Sequence, residues 1–258
     1  MIIPPIQRKT KIHVQIERER HADPNATKFV IGGSIANHIC NYELHKHGYA
    51  NYGIGGDQVQ NILHRAIYGS FPRFIQQVII IGGTNNLKAS DPDNIVDTLL
   101  EVGQVLKSRF KDVSVAIASI LPRDCRGDDF RIASKRGAVN AKLLTGCRER
   151  GYSYINTLDL EGDSCKIKYF LFDSSRLHLN ARGNNIFSNM ILKCVNSVNK
   201  CYISDLFHAS LLMMTLLLVK VNALGEVGMD PQLCHHTHHL CNPPHTLTHP
   251  HKYPRTRR

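Results

Sequence analysis

Phe29-Val30-Ile31-Gly32-Gly33-Ser34 is a short apolar run that breaks into two glycines and then presents a hydroxyl. The run has strand composition, and the glycines permit a sharp exit into a following helix. Two further glycine-marked breaks lie downstream, Gly55-Gly56-Asp57 and Ile80-Ile81-Gly82-Gly83-Thr84-Asn85-Asn86. The second follows Val78-Ile79-Ile80-Ile81, a continuous β-branched run expected of a strand buried on both faces.

Working outward from Lys28, strand and helix patterns alternate. Ser34 to His45 can be helical. Asp57 is placed to cap a helix whose apolar face is Val59, Ile62, Leu63, Ala66 and Ile67, ending at Gly69. Phe74 to Ile81 reads as a strand. Asp91-Pro92 opens a helix with the stripe Ile95, Leu99, Val102 and Leu106. Val113 to Leu121 is the next strand, Ile132 to Arg150 a helix, Tyr152 to Leu158 a short strand and Ala181 to Val195 the closing helix. Such alternation predicts an α/β fold, a three-layer parallel sheet with helices on both faces. Sites in such sheets lie at the carboxyl ends of the strands, where Ser34, Gly56 and Asn85 all fall.

The flanks read differently. Residues 1–27 form a polar lead-in, in which the alternation Lys11 to Ile16 suggests an edge strand. Residues 28–200 carry the domain. Residues 201–258 combine a short apolar stretch, Leu211 to Val219, with a His-, Pro- and Arg-rich tail expected to be poorly ordered. The apolar stretch is too short for a stable membrane span. The cluster from Cys234 to Cys241 matches no zinc-finger spacing, so neither a metal nor a cofactor is expected.

The chain has 258 residues, 42% of them apolar and 21% charged, which suits one globular core with excess at the ends. Its formal charge of +11 favours anionic partners, nucleic acid among them. The eight cysteines are widely scattered, which argues for reduced thiols rather than a stapled scaffold. The first thirty residues lack an apolar run, so no signal peptide is expected. Together these point to an intracellular, cytoplasmic protein. Oligomeric state is not legible.

The chemistry implied by these residues is nucleophilic. A serine hydroxyl needs a base within hydrogen-bond reach and donors for the oxyanion. Ser34 is the candidate nucleophile. His178, in Leu177-His178-Leu179-Asn180, is the candidate base. The backbone N–H groups of Ser34 and Gly56 and the carboxamide of Asn85 are the candidate oxyanion donors.

This constellation resembles the SGNH hydrolase superfamily, the GDSL-like lipases and esterases, over roughly Lys28 to Val198. Gly32-Gly33-Ser34 is similar to its first block, Gly55-Gly56-Asp57 to the second, Gly83-Thr84-Asn85-Asn86 to the third, and Leu177-His178-Leu179-Asn180 with Gly183-Asn184 to the last. The resemblance implies a flavodoxin-like fold and metal-free hydrolysis of acyl esters. The last block is similar to SGNH domains carried by animal retrotransposons and their domesticated relatives.

The sequence departs from that pattern at three acidic positions, occupied here by Gly33, Asn86 and Ser175. Ser175 stands where the family places the carboxylate that orients the imidazole. Asp173 matches no family position and reaches the ring only if the loop bends; a Ser–His dyad supported by a backbone carbonyl is the other arrangement. Loss of the orienting carboxylate costs about four orders of magnitude in turnover in a well-studied triad. Two readings therefore stand: an ester hydrolase, and a catalytically inactive retroelement-derived module that binds nucleic acid or protein.

Overall fold

The decisive strand, β1 (Lys28–Gly32), lies inside a parallel sheet of five strands. Its neighbours are β2 (Tyr49–Gly53) on one side and β3 (Gln77–Ile81) on the other, followed by β4 (Ser114–Ala118) and β5 (Ser153–Ile155). The order is β2-β1-β3-β4-β5 and every pairing is parallel. The computed structural model describes residues 9–21, 23–123, 129–162 and 167–197.

Alternation along the strands sorts the core into two layers. Phe29 and Ile31 of β1 point to one face, with Val78 and Ile80 of β3 and Val115 and Ile117 of β4. They pack against α3 (Val59–Tyr68), α4 (Pro92–Arg109) and α5 (Asp129–Glu149) through Ile62, Leu99 and Leu143. Val30, Ile79, Ile81 and Ala116 face the other way, onto Ile35 and Ile39 of α2 (Ser34–Tyr42) and onto Phe187 and Ile191 of the last helix, residues 181–197. The sheet is thus covered on both sides, as the uninterrupted apolar runs require. Each fully buried Ile, Leu or Phe contributes about 1.5–3 kcal/mol.

The strand order places a switch point between β1 and β3. From β1 the chain moves outward to β2, then crosses back to β3 on the opposite side. Loops leaving β1 and β3 therefore diverge, and the crevice between them is where ligands bind in such sheets.

Two local expectations are corrected. Lys11 to Ile16 lies within a helix, α1 (Lys9–His21), not in an edge strand. Pairs four residues apart, Gln15 with Glu19 and His21 with Glu17, support the helix, and Val14 and Ile16 remain exposed instead of forming a buried strand face. Asp57 does not cap α3. Gln58 is the cap, its N–H donating to Asn61 Oδ1 at 3.0 Å, and Asp57 is buried elsewhere. The cap at Asp91 is present, accepting from Asn94 N at 2.9 Å.

Cys40, Cys147 and Cys194 are free thiols; burial pushes the first two up to about 12. Among the described residues no helix is long and apolar enough to cross a membrane. The stretch 211–219 and the cluster 234–241 lie outside the described residues.

Candidate active site

Ser34 is the first residue of α2, directly after β1. Glycine is required at position 32, because a Cβ there would stand 1.9 Å from the carbonyl oxygen of Ile81. Gly33 N donates to that same carbonyl at 3.1 Å, so the turn out of β1 is stitched to β3. The hydroxyl is thereby set at a helix N-terminus, where backbone N–H groups lack intrahelical acceptors and the helix dipole favours negative charge.

Asn85 comes from the opposite wall of the crevice. It sits in the single turn Thr84–Asn86 after β3, which Gly83 enters at a φ of 97°. Asn85 Nδ2 donates to the backbone oxygen of Asp57 at 2.9 Å. A carboxamide has two N–H donors, and only one is used in this contact. Gly33, Ser34, Asp57, Asn85 and Ser119 line a cavity of about 10 Å³, room for one water-sized group. Gly56 is an exposed turn residue at a φ of 74°, and it abuts this cavity through Asp57 rather than lining it.

Beneath the crevice lies a buried ion pair that the sequence reading missed. Arg65 Nε and Nη2 donate to Asp57 Oδ2 at 3.0 and 2.8 Å. Its remaining donors reach Tyr52 O at 2.7 Å and Gly32 O at 3.0 Å, tying the ends of β1 and β2 to the Gly55-Gly56-Asp57 turn. The available signal was spacing: Arg65 follows Ile62 by three positions and so shares the inward face of α3.

Asn86, at one of the departed acidic positions, is also structural. It is fully buried; its Oδ1 accepts from Val59 N at 2.9 Å, satisfying the start of α3. Its Nδ2 donates to Gln60 Oε1 at 2.9 Å and to Ser90 Oγ at 3.2 Å. A carboxylate could make the first bond and could accept from the Ser90 hydroxyl, but it would lose the donation to Gln60 Oε1.

His178 arrives on the loop before the last helix. Its Nε2 lies 2.9 Å from Ser34 Oγ, although the two residues are 144 positions apart in the chain. The loop is built by its neighbours. Asp173 N donates to His178 O at 2.9 Å and closes it, while Leu179 is buried and bridges to Phe172. Asn180 donates to Phe170 O at 2.9 Å and Phe172 O at 3.1 Å, and accepts from Gly183 N at 3.0 Å, so it anchors the loop and caps the helix together. Glycine is needed at 183, where a Cβ would approach Leu171 O to 2.1 Å.

Behind the ring, Nδ1 lies 3.3 Å from Ser175 Oγ and 3.9 Å from Asp173 Oδ2. The loop bends enough to set Asp173 near the imidazole, though not within hydrogen-bond range of it. These contacts of Nδ1 are to side chains. On one face His178 stacks on His38 of α2, with centroids 4.6 Å apart and planes 11° from parallel. Burial, and secondly His38, hold the imidazole below its ordinary value, while Asp173 works in the opposite direction. The structure thus gathers Ser34, His178 and Asn85 at one rim.

No family profile and no curated protein matches the chain. Solved structures do match. A GDSL-like lipase from Bacteroides thetaiotaomicron superposes with a TM-score of 0.63 at 17% identity, over 73% of this chain and 98% of that one. The fold is that of the GDSL-like lipases. A member of the lipolytic G-D-S-L family from Veillonella parvula gives a TM-score of 0.52 at 19% identity, over 64% of this chain and 96% of that one. A catalytic mutant of an acetylxylan esterase from Geobacillus stearothermophilus gives 0.51 at 13%, over 66% and 93%.

Proposed function

We propose that this chain is a serine ester hydrolase of the GDSL-like type. The observation that carries the reading is the 2.9 Å approach of His178 Nε2 to Ser34 Oγ at the switch point of the sheet. The GDSL-like fold supports it.

The reaction is acyl transfer to Ser34. Its Oγ attacks the acyl carbon as the O–H bond breaks and the proton moves to His178 Nε2. Negative charge develops on the former carbonyl oxygen. The Ser34 backbone N–H and the second N–H of Asn85 receive it. One such donor is worth about 2.7–4 kcal/mol of transition-state stabilisation. Collapse of the tetrahedral intermediate breaks the ester C–O bond, and the imidazolium protonates the departing alcohol. Water then repeats the sequence on the acyl-serine, and the carboxylic acid leaves. The depressed imidazole value keeps His178 in its neutral, proton-accepting form to lower pH than an exposed histidine would allow.

Labelling with a fluorophosphonate tests this directly. The wild-type protein is expected to form a covalent adduct and the folded Ser34→Ala protein none. A wild-type protein that forms no adduct at Ser34 contradicts the reading.

The charge of +11 favours a second reading, an inactive module that binds nucleic acid. It requires affinity that falls steeply as salt rises. Binding indifferent to salt removes it.

A further inference from the structure

We infer that Ser175 is a positioning residue that relays Asp173 to His178, so that an Asp–Ser–His chain replaces a direct carboxylate–imidazole contact. The inference rests on the ester-hydrolase reading and deepens it.

The direct route is too long. Asp173 Oδ2 stands 3.9 Å from His178 Nδ1, beyond hydrogen-bond range. Asp173 instead meets Ser175 twice. Its Oδ1 accepts from Ser175 N at 2.9 Å and from the Ser175 hydroxyl in a shorter contact. This is an Asx turn, local to the sequence, which any Asp-x-Ser segment can form.

Donor counting then assigns the protons. An ionised carboxylate only accepts, so the Ser175 hydroxyl must donate to Asp173. Its oxygen is left as an acceptor. Leu177 N and His178 N at 3.2 and 3.3 Å and His178 Nδ1 at 3.3 Å share its two lone pairs, and an unprotonated Nδ1 would set lone pair against lone pair. With Ser175 Oγ accepting, Nδ1 carries the ring proton. The lone pair of Nε2 then faces Ser34 Oγ, the arrangement a general base requires. When Nε2 takes the Ser34 proton, the imidazolium keeps its Nδ1–H bond to Ser175, and no proton passes on to Asp173. The charge of Asp173 stabilises the cation across the relay, weakened by its partial exposure.

The groups facing the ring are His38 from α2 and Asp173 from the loop. The Arg176 guanidinium, also in the loop, lies over the Tyr169 ring at 5.1 Å. Of these, Asp173 favours the protonated imidazole and His38 opposes it. Removing the Asp173 charge therefore moves the acid limb of kcat/KM downward.

The test is steady-state hydrolysis of p-nitrophenyl acetate across pH, with fluorophosphonate labelling alongside. Ser175→Ala is expected to lower kcat about 10–100-fold with little change in KM. Asp173→Asn keeps the Asx turn. It is expected to lower kcat by about 100-fold or more and to move the acid limb down. Ser175→Thr keeps the hydroxyl and its backbone bonds, and should recover most of the turnover. If Ser175→Ala and Asp173→Asn leave kcat and the acid limb unchanged while Ser34→Ala abolishes labelling, the relay is wrong and the hydrolase reading stands. If Ser34→Ala labels like the wild type, both are wrong. Should Ser175→Ala unfold, Ser175→Cys takes its place: a kcat loss that Ser175→Thr recovers supports the relay, and wild-type turnover in Ser175→Cys overturns it.

Discussion

The two sides of the crevice are built by different means. On the sheet side, Ser34 and Asn85 are positioned by buried strands, by a glycine that lets β1 touch β3, and by the Asp57–Arg65 pair below them. On the loop side, His178 is held by short-range bonds in a partly exposed segment, among Asp173, Ser175 and Asn180. The sheet side tolerates few solutions because close packing admits few. The loop side has many, because an acceptor for Nδ1 can come from any nearby residue that the turn presents. The departures from the family pattern follow this division. Asn86, in the buried layer, donates to Gln60 Oε1, a partner that a carboxylate would lose. Ser175, in the loop, keeps an acid within reach by passing its bond to Asp173.

That contrast is easiest to break at its centre. Ser34→Ala should abolish esterase turnover, a loss of at least about 10⁴-fold, without altering the thermal melting of the domain, because the substitution leaves every strand contact in place. Differential scanning fluorimetry beside the hydrolysis assay checks both halves. Retained turnover would mean that the chemistry lies elsewhere.

The sheet side should fail through stability. Arg65→Ala removes the guanidinium that pairs with the buried Asp57 and should cost about 3–5 kcal/mol, read as the midpoint of urea unfolding. A cost near zero would show that the pair does not brace the crevice. Asn85→Ala should spare folding and lower kcat about 10²–10³-fold through the lost oxyanion donor. An effect on KM alone would assign Asn85 to ground-state binding instead.

The smallest effect is expected where α2 meets the ring of His178. His38→Ala removes a group that opposes protonation of His178, and it also uncovers one face of the ring. Both changes raise the imidazole value, so the acid limb of kcat/KM should move up, by less than about one pH unit. A limb that stays in place would mean that the stacked pair has no electrostatic consequence.

Much of this was legible beforehand, for identifiable reasons. β3 and its burial on both faces follow from Val78-Ile79-Ile80-Ile81, and the layers follow from the alternation of strand and helix. Ser34, Asn85 and His178 were each visible as a hydroxyl, an amide or an imidazole at a structural break. Asp57 was misread because an acid before a helix has two uses, capping and pairing, and the choice depends on Arg65, which meets it only in three dimensions. The α1 segment was misread because alternation over six residues is a weaker signal than the pairs four residues apart that support its helix.

Periodicity and the placing of glycines are properties of neighbouring residues. They were enough to determine the α/β class and the strands flanking the crevice, and to single out a hydroxyl, an imidazole and a carboxamide as candidates. Strand order is not a local property. Only the tertiary structure set β3 beside β1, carried His178 across 144 positions to Ser34, and bent the loop so that Asp173 meets the ring through Ser175. The physical reason is that these contacts join groups whose separation along the chain carries no trace of their separation in space.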